Sequence, residues 1–313
     1  MRRTILVTGS TAIDQTGVYG GNFAEYQAKY PIKALNMSFQ LQDMQTSFGG
    51  CAPNIAWGLN QLGIDVIPLS SAGRSFRDRY QNHLQSNGIN TDFIAIDDSI
   101  ESCASCLMIN DLHGNQIISF YPGPGSSLRK LPSEIDLIDQ VGLAILGPEA
   151  PDLTLAQARD LSQLCIPMLF DPGQVITDFD RAALVELLTL SRTLIVNDYE
   201  YNVLLTNADM TPAEVVACVD ELVVTHGESG VDIHTGGSLH HVNAIPDVEI
   251  VDVTGCGDAF RAGYACGMLH ELEPVECGQL GCIVAMQNLT SPQTQNYRTN
   301  LDQARSLQRK YYH

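Results

Sequence analysis

The segment Val251-Asp-Val-Thr-Gly-Cys-Gly-Asp258-Ala-Phe260 joins two glycines to a carboxylate at the start of an apolar run. Gly255 and Gly257 permit a tight turn and a close approach of backbone to ligand. The small and apolar residues that follow, Arg261-Ala-Gly-Tyr-Ala-Cys-Gly-Met-Leu269, read as a closely packed helix. Gly255, Cys256 and Gly257 would then direct free N–H groups at an anion, with the helix dipole assisting. Asp258 would stand beside that anion hole, placed to take a proton from a hydroxyl attacking phosphorus. Taken alone, the same residues also describe a glycine turn capped by an ordinary aspartate.

Four further segments carry side chains or glycines of chemical interest. In Phe48-Gly-Gly-Cys-Ala-Pro-Asn54-Ile-Ala56, the pair Gly49 and Gly50 exposes backbone just before a helix, and Asn54 offers a donor and an acceptor for vicinal hydroxyls. In Gly9-Ser-Thr-Ala-Ile-Asp14, a strand end leads to a carboxylate able to accept two sugar hydroxyls. The second and third glycines of a dinucleotide fingerprint are absent there, which removes that reading. Asn197-Asp-Tyr-Glu200 follows a strand, and its Asn and Glu could organise magnesium waters or simply cap a helix. Thr225-His-Gly-Glu-Ser-Gly230 also follows a strand, and Gly227 and Gly230 would let a nucleotide lie against the backbone; alone it is an ordinary turn.

These segments need a scaffold, and hydrophobic periodicity supplies one. Thr4–Thr8 reads as a buried strand, Pro53–Leu62 as a helix closed by Gly63, and Val66–Leu69 as a strand. Residues 14–48 are polar and irregular, suited to the strands of a small lid. Cys106–Asn110 and Gln116–Tyr121, with a turn at 111–114, read as a β-hairpin. Strands at 142–146, 167–170, 193–196 and 221–225 alternate with helices near 153–164, 180–190 and 212–220, and the last third is helix-rich. The alternation predicts an α/β fold, a doubly wound, mostly parallel sheet flanked by helices. The whole length, 1–313, reads as one such domain, with lid segments at roughly 14–48 and 101–121.

Composition narrows the class of partner. A formal charge of −19 argues against nucleic acid and anionic membranes, which select basic patches. It leaves phosphate open, because backbone N–H groups hold phosphate without net positive charge. Hydrophobic residues at 44% supply an ample core. The nine cysteines include one C-x-x-C, Cys103 and Cys106, with no second pair to complete a zinc site. They read as buried reduced thiols in a cytoplasmic protein. The apolar run at Ile5-Leu-Val7 is too short for a signal peptide, and no apolar stretch of about 20 residues occurs.

In order and spacing, the early Asp14, the Gly49-Gly50-x-x-x-Asn54 element, N-x-x-E at 197–200, T-x-G-x-x-G at 225–230 and G-x-G-D at 255–258 resemble the ribokinase or PfkB family of small-molecule kinases. The resemblance covers nearly the whole chain. It implies a doubly wound α/β domain with a β-sheet lid over the sugar, and ATP and Mg2+ as cofactors. It implies that Asp14, Gly49, Gly50 and Asn54 hold the sugar, and that Asp258 deprotonates the primary alcohol. Gly255, Cys256 and Gly257 would stabilise the transferring phosphoryl group, Asn197 and Glu200 would serve phosphate and magnesium (Glu200 through water), and Thr225, Gly227 and Gly230 would line the ATP site. It also implies a homodimer formed through the lid, and leaves monovalent-cation activation open.

Within the family, Ser119-Phe-Tyr-Pro-Gly123, Asp171-Pro-Gly-Gln174, Asn197-Asp-Tyr-Glu200, and Ser38-Phe39 and Asp43 ahead of the glycine pair look like bacterial adenosine kinases and related nucleoside kinases. That likeness makes Phe120 the candidate to stack on a base and Gln174 a candidate to reach the base or the phosphate network. Four residues depart from the pattern. Cys106 stands in place of an aromatic, Val175 of a second Gln, Cys256 of a small Ala and Val253 of a Thr. The expected activity is phosphorylation of the 5′-hydroxymethyl of a nucleoside, adenosine first. The alternatives are a ribokinase-like kinase of a free sugar and a non-catalytic nucleoside- or sugar-binding protein. Oxidation of Cys256 is a further expectation, since it would block the anion hole.

Overall fold

The chain begins with β1 (Thr4–Thr8), β2 (Ala12–Tyr19), α1 (Phe23–Lys29), β3 (Leu41–Gly49), α2 (Cys51–Gln61) and β4 (Asp65–Gly73). Two short helices, α3 (Ser75–Arg79) and α4 (Gln81–Ser86), lead to β5 (Ile94–Asp97) and the hairpin β6 (Ser105–Asp111) and β7 (Gln116–Tyr121). Next come β8 (Val141–Leu146), α5 (Pro151–Gln163), β9 (Met168–Phe170), α6 (Arg181–Leu190), β10 (Thr193–Asn197) and α7 (Asp198–Ala208). The chain closes with α8 (Pro212–Cys218), β11 (Glu221–Thr225), β12 (Val231–Thr235), β13 (Ser238–Val242), α9 (Cys256–Leu269), α10 (Pro274–Leu289) and α11 (Leu301–Tyr312). The structure is a computed structural model that describes residues 3–29, 38–113, 115–125 and 130–312. Residues 30–37 of the expected lid and Gly114 of the hairpin turn lie outside the described residues.

Nine strands form the main sheet in the order β13-β12-β11-β10-β9-β8-β1-β4-β5. From β11 to β5 every pairing is parallel, and β12 and β13 add an antiparallel hairpin at one edge. Parallel strands buried on both faces read as continuous apolar runs, and β1 is buried along its whole length. Its side chains divide by the two-residue strand period. Ile5 and Val7 join Trp57 of α2 and Tyr264 of α9 in one core, while Leu6 joins Leu161 of α5 and Leu187 of α6 in the other. The same division runs through Leu169 against Phe170, Ile195 against Val196 and Val223 against Val224. Two cores on opposite faces of one sheet are what the alternating strand and helix pattern predicts.

The second sheet has the order β3-β2-β6-β7, with β2 antiparallel to β3 and parallel to β6. It hangs from the main sheet by short links: β1 passes to β2 through Gly9–Thr11, and β3 passes to α2 through Gly50. The irregular lid segment of the sequence thus supplies β2 and β3, and it also contains α1. Helix α2 starts two residues before the expected Pro53, because Gly50 (φ 92°) turns the chain sharply out of β3 and serves as N-cap. All nine cysteines are free thiols. No described helix is long and apolar enough to cross a membrane.

Candidate active site

Every motif singled out in the sequence lies at the carboxyl ends of the main-sheet strands or on the adjoining lid. Strands β4 and β5 extend to one side of β1 and β8 to β11 to the other, so the winding reverses at β1 and opens a crevice there. Helix α9 points its N-terminus into this region. Gly255, its N-cap, sits in the left-handed region at φ 76°, and no side chain caps the helix. A Cβ at Gly255 would lie 2.7 Å from the Thr294 methyl carbon, so the turn is closed to larger residues. The Cys256 N–H leans on the Val253 carbonyl at 3.3 Å, whereas no protein acceptor meets the Gly257 N–H among the described residues. The Gly257 N–H is therefore open to an outside acceptor, and Gly257 is exposed.

Asp258 accepts a hydrogen bond on Oδ2 from Asn54 Nδ2 at 2.8 Å, although 204 residues separate the two. That contact joins the glycine-pair element at α2 to the G-x-G-D element at α9. Asp14 stands on β2 opposite Ser47 of β3 and accepts from the Cys106 N–H at 2.8 Å. A Cβ on Gly49 would overlap the Asp14 carboxylate, so a larger residue there would push that side chain from its place. Gly50 is closed in turn by the Ser10 carbonyl and by the Ala12 nitrogen, 2.7 Å from an added Cβ. Gly50→Ala should destabilise the fold by about 1–3 kcal/mol, the usual range for a residue forced into such a region. Urea denaturation checks this, and a loss below a few tenths would show that the turn relaxes freely.

Strand register decides what shares a face with Asp14. Thr16 pairs with Met108, Met108 with Ile118 and Cys106 with Phe120. With a side-chain period of two, Asp14, Cys106, Met108, Ile118 and Phe120 lie on one face of the lid. Phe120 is 51% exposed and Ile118 57%, so this face offers apolar surface beside a carboxylate. Gln174 does not join them through any hydrogen bond. It is exposed, in a two-turn 3-10 helix, Gly173–Asp178, that follows β9.

On the other side of α9 lies a cleft of about 960 Å³. Asn197, Glu200, Thr225, Gly227, Gly230, Cys256 and Gly257, drawn from three separate sequence motifs, all line it, together with apolar side chains such as Ile245 and Met286. Asn197 and Glu200 do form a helix cap: Glu200 N–H donates to Asn197 Oδ1 and Asn197 N–H to Glu200 Oε2, both at 2.9 Å. The cap leaves both side chains on the wall of the cleft. Among the described residues no group of three or more acidic, His or Cys side chains is arranged to hold a metal.

Arg261 stands outside every candidate set read from the sequence. One turn beyond Asp258, it is 8% exposed, and its Nη2 donates to Asp171 Oδ1 at 2.6 Å and lies 4.0 Å from Glu200 Oε2. One cation thus ties the ends of β9 and β10 to the first turns of α9. Burial pushes Asp171 above the ordinary carboxylate range, and the Arg261 guanidinium pulls it back. Burial likewise raises Asp258, offset by Arg261 and the Asn54 N–H, with Asp14 raising it further. Asp14 is raised by burial against the Cys106 N–H. Burial, with help from Asp258, pushes the Cys256 thiol up to about 11. A neutral thiol is a poor nucleophile toward oxidants, so the expected oxidative block at Cys256 has no support in its surroundings.

The family model described as pfkB family carbohydrate kinase matches residues 3–300. A nucleoside kinase of Methanocaldococcus jannaschii is 26% identical over 251 residues, 80% of this chain and 82% of that protein. The nucleoside kinase of Burkholderia thailandensis, solved in complex with inosine, superposes with a TM-score of 0.88 at 27% identity, covering 98% of both chains. Its structure with ADP-inosine gives 0.84 at 28% identity, covering 98% of this chain and 96% of the other. With the motifs gathered at one end of a doubly wound sheet and a family match over almost its full length, the chain belongs to the pfkB family of carbohydrate kinases.

Proposed function

We propose that the protein transfers the γ-phosphoryl group of ATP to the 5′-hydroxymethyl of a nucleoside, with adenosine the first candidate. The observation that carries this reading is the 2.8 Å bond from Asn54 to Asp258, at the junction of the lid face and the cleft. It supports an acceptor on the Asp14 side and a donor on the Glu200 side, their reacting ends meeting at the N-terminus of α9. Asp14, the Gly49–Gly50 backbone and Asn54 hold the sugar hydroxyls. Asp258 takes the proton of the primary alcohol as it attacks phosphorus. The backbone from Gly255 to Gly257 neutralises charge on the phosphoryl oxygens in flight, and Thr225, Gly227 and Gly230 carry the nucleotide.

Glu200 and Asn197 suit a magnesium ion held largely by donor phosphates and water, since Mg2+ commonly takes one or two carboxylates and keeps several waters. The ion would supply charge neutralisation between the phosphates. Two observations support a nucleoside over a free sugar: the apolar stretch of Phe120, Ile118 and Met108 on the Asp14 face, and the inosine complex of the Burkholderia relative. One observation favours the free-sugar reading: Cys106, directly across from Phe120, gives no second aromatic plane.

An ADP-release assay with ATP and Mg2+ against adenosine, inosine, guanosine, cytidine, ribose and fructose tests the assignment. Preference for ribose or fructose overturns the nucleoside reading and keeps Asp258 as the base. Phe120→Ala should raise KM for the nucleoside about tenfold, in line with a lost base–aromatic stack, and leave KM for ribose nearly unchanged. Equal effects on both would remove Phe120 from the base site.

A further inference from the structure

We propose that Gln295 is a positioning residue: it fixes which atom of the Asn54 amide faces Asp258, and so keeps a hydrogen-bond donor on the base. The inference rests on Asp258 as the proton acceptor. Gln295 is 5% exposed, in the loop between α10 and α11, and belongs to no motif. Its Nε2 donates to Asn54 Oδ1 at 2.8 Å and also to the hydroxyl of Tyr80, while its Oε1 lies 3.2 Å from His83 Nε2.

The polarity of this chain of bonds is dictated from one end. Tyr80 donates its only hydroxyl proton to the Gly49 carbonyl at 3.0 Å, and a carbonyl can only accept. The Tyr80 oxygen must therefore accept from Gln295, which requires the amide nitrogen on that side. The second N–H of the same nitrogen then meets Asn54, whose facing atom must be the oxygen. Asn54 is left with its NH₂ toward Asp258. At the other end, Gln295 Oε1 needs a donor, and His83 supplies it with a protonated Nε2. The His83 ring is held between Phe48 and Trp57, at centroid distances of 4.5 and 5.3 Å.

An Asn54 turned the other way would set its carbonyl oxygen against the Asp258 carboxylate, two acceptors in contact. Charged or titratable groups facing Asp258 are Arg261 on its own helix, Asp171 at the end of β9, Asp14 on the lid, the Cys51 and Cys256 thiols, and the buried hydroxyls of Tyr80 and of Tyr297 in the loop between α10 and α11. Of these, Arg261 opposes the upward push of burial, as the Asn54 N–H does. Freeing Asn54 to rotate therefore raises the pKa of the base and moves the acid limb of kcat/KM to higher pH.

Gln295→Met, a change that removes both donors at similar volume, should lower kcat about tenfold and shift the acid limb upward. His83→Phe keeps the stacked ring but removes the donor to Gln295, and should give the same shift in smaller measure. His83→Gln restores a donor and should recover most of the loss. Thermal unfolding of each variant verifies the fold, and His83→Phe serves if Gln295→Met does not fold. Folded variants with a wild-type acid limb, beside an inactive Asp258→Asn, overturn the role of Gln295 and leave the base in place. An active Asp258→Asn overturns the base itself, and the role of Gln295 with it.

Discussion

Asp258→Asn should lower kcat by about a hundredfold or more while nucleoside binding persists, the range for loss of a general base. The replacement keeps the shape of the side chain and an oxygen for the Asn54 N–H, so the 2.8 Å link to α2 can survive. What it removes is the group able to take the alcohol proton. Its effect on stability should have the opposite sign. Burial already pushes Asp258 upward, so a neutral isostere relieves a buried charge, and the variant should melt at or above the wild-type temperature. Steady-state kinetics, isothermal titration with the nucleoside and thermal unfolding separate these effects. Turnover within a few-fold of wild type would remove Asp258 from the reaction.

Arg261→Met should have the larger effect on stability. Asp171 is 2% exposed and Glu200 7%, and both face the same guanidinium. Removing one member of a buried charged group leaves the others uncompensated, at about 3–5 kcal/mol. For a chain of this size the melting temperature falls on the order of 5–10 °C. The pH dependence has a definite sign. Without its cation Asp171 is governed by burial, which raises its folded pKa above the unfolded value. The folded state then holds a proton that the unfolded state releases. Stability is retained at low pH and lost as pH rises through the folded pKa. The variant should therefore recover stability between pH 8 and pH 6, where wild type changes less. A melting temperature that matches wild type at both pH values would show that the carboxylates find other partners.

The motifs that hold glycine beside a functional side chain were readable from the sequence because backbone demands leave few alternatives there. Gly50 and Gly255 sit in the left-handed region, and the residues four and three positions on, Asn54 and Asp258, meet directly. The alternation of β8 to β11 with α5, α6 and α8 was readable for a similar reason, since parallel strands are apolar throughout. Helix α7 was less so: Asn202, Thr206 and Asn207 break its apolar stripe, and only the Asn197–Glu200 cap announces it. The β12–β13 hairpin carried a turn signal, Gly236-Gly237, that the strand and helix rhythm hid.

Arg261 and Gln295 were out of reach on physical grounds. A helix arginine is ordinarily solvated, and a loop glutamine carries no periodicity. Their meaning comes from partners 90 and 241 residues away, Asp171 and Asn54, and local pattern does not encode such pairings. The parallel pairing of β2 with β6, which sets Phe120 on the Asp14 face, is equally non-local.

That pairing has an evolutionary corollary. In the proposed reaction, proton removal and charge neutralisation fall to α9 and the sheet ends, whereas Cys106, Met108, Ile118 and Phe120 belong to a separate small sheet that meets them at Asp14 and the glycine pair. On that reading, mutational drift across those lid positions would exchange one acceptor for another without disturbing the transfer step. A library randomised at these positions and selected on alternative nucleosides should yield retargeted enzymes whose donor affinity is inherited intact.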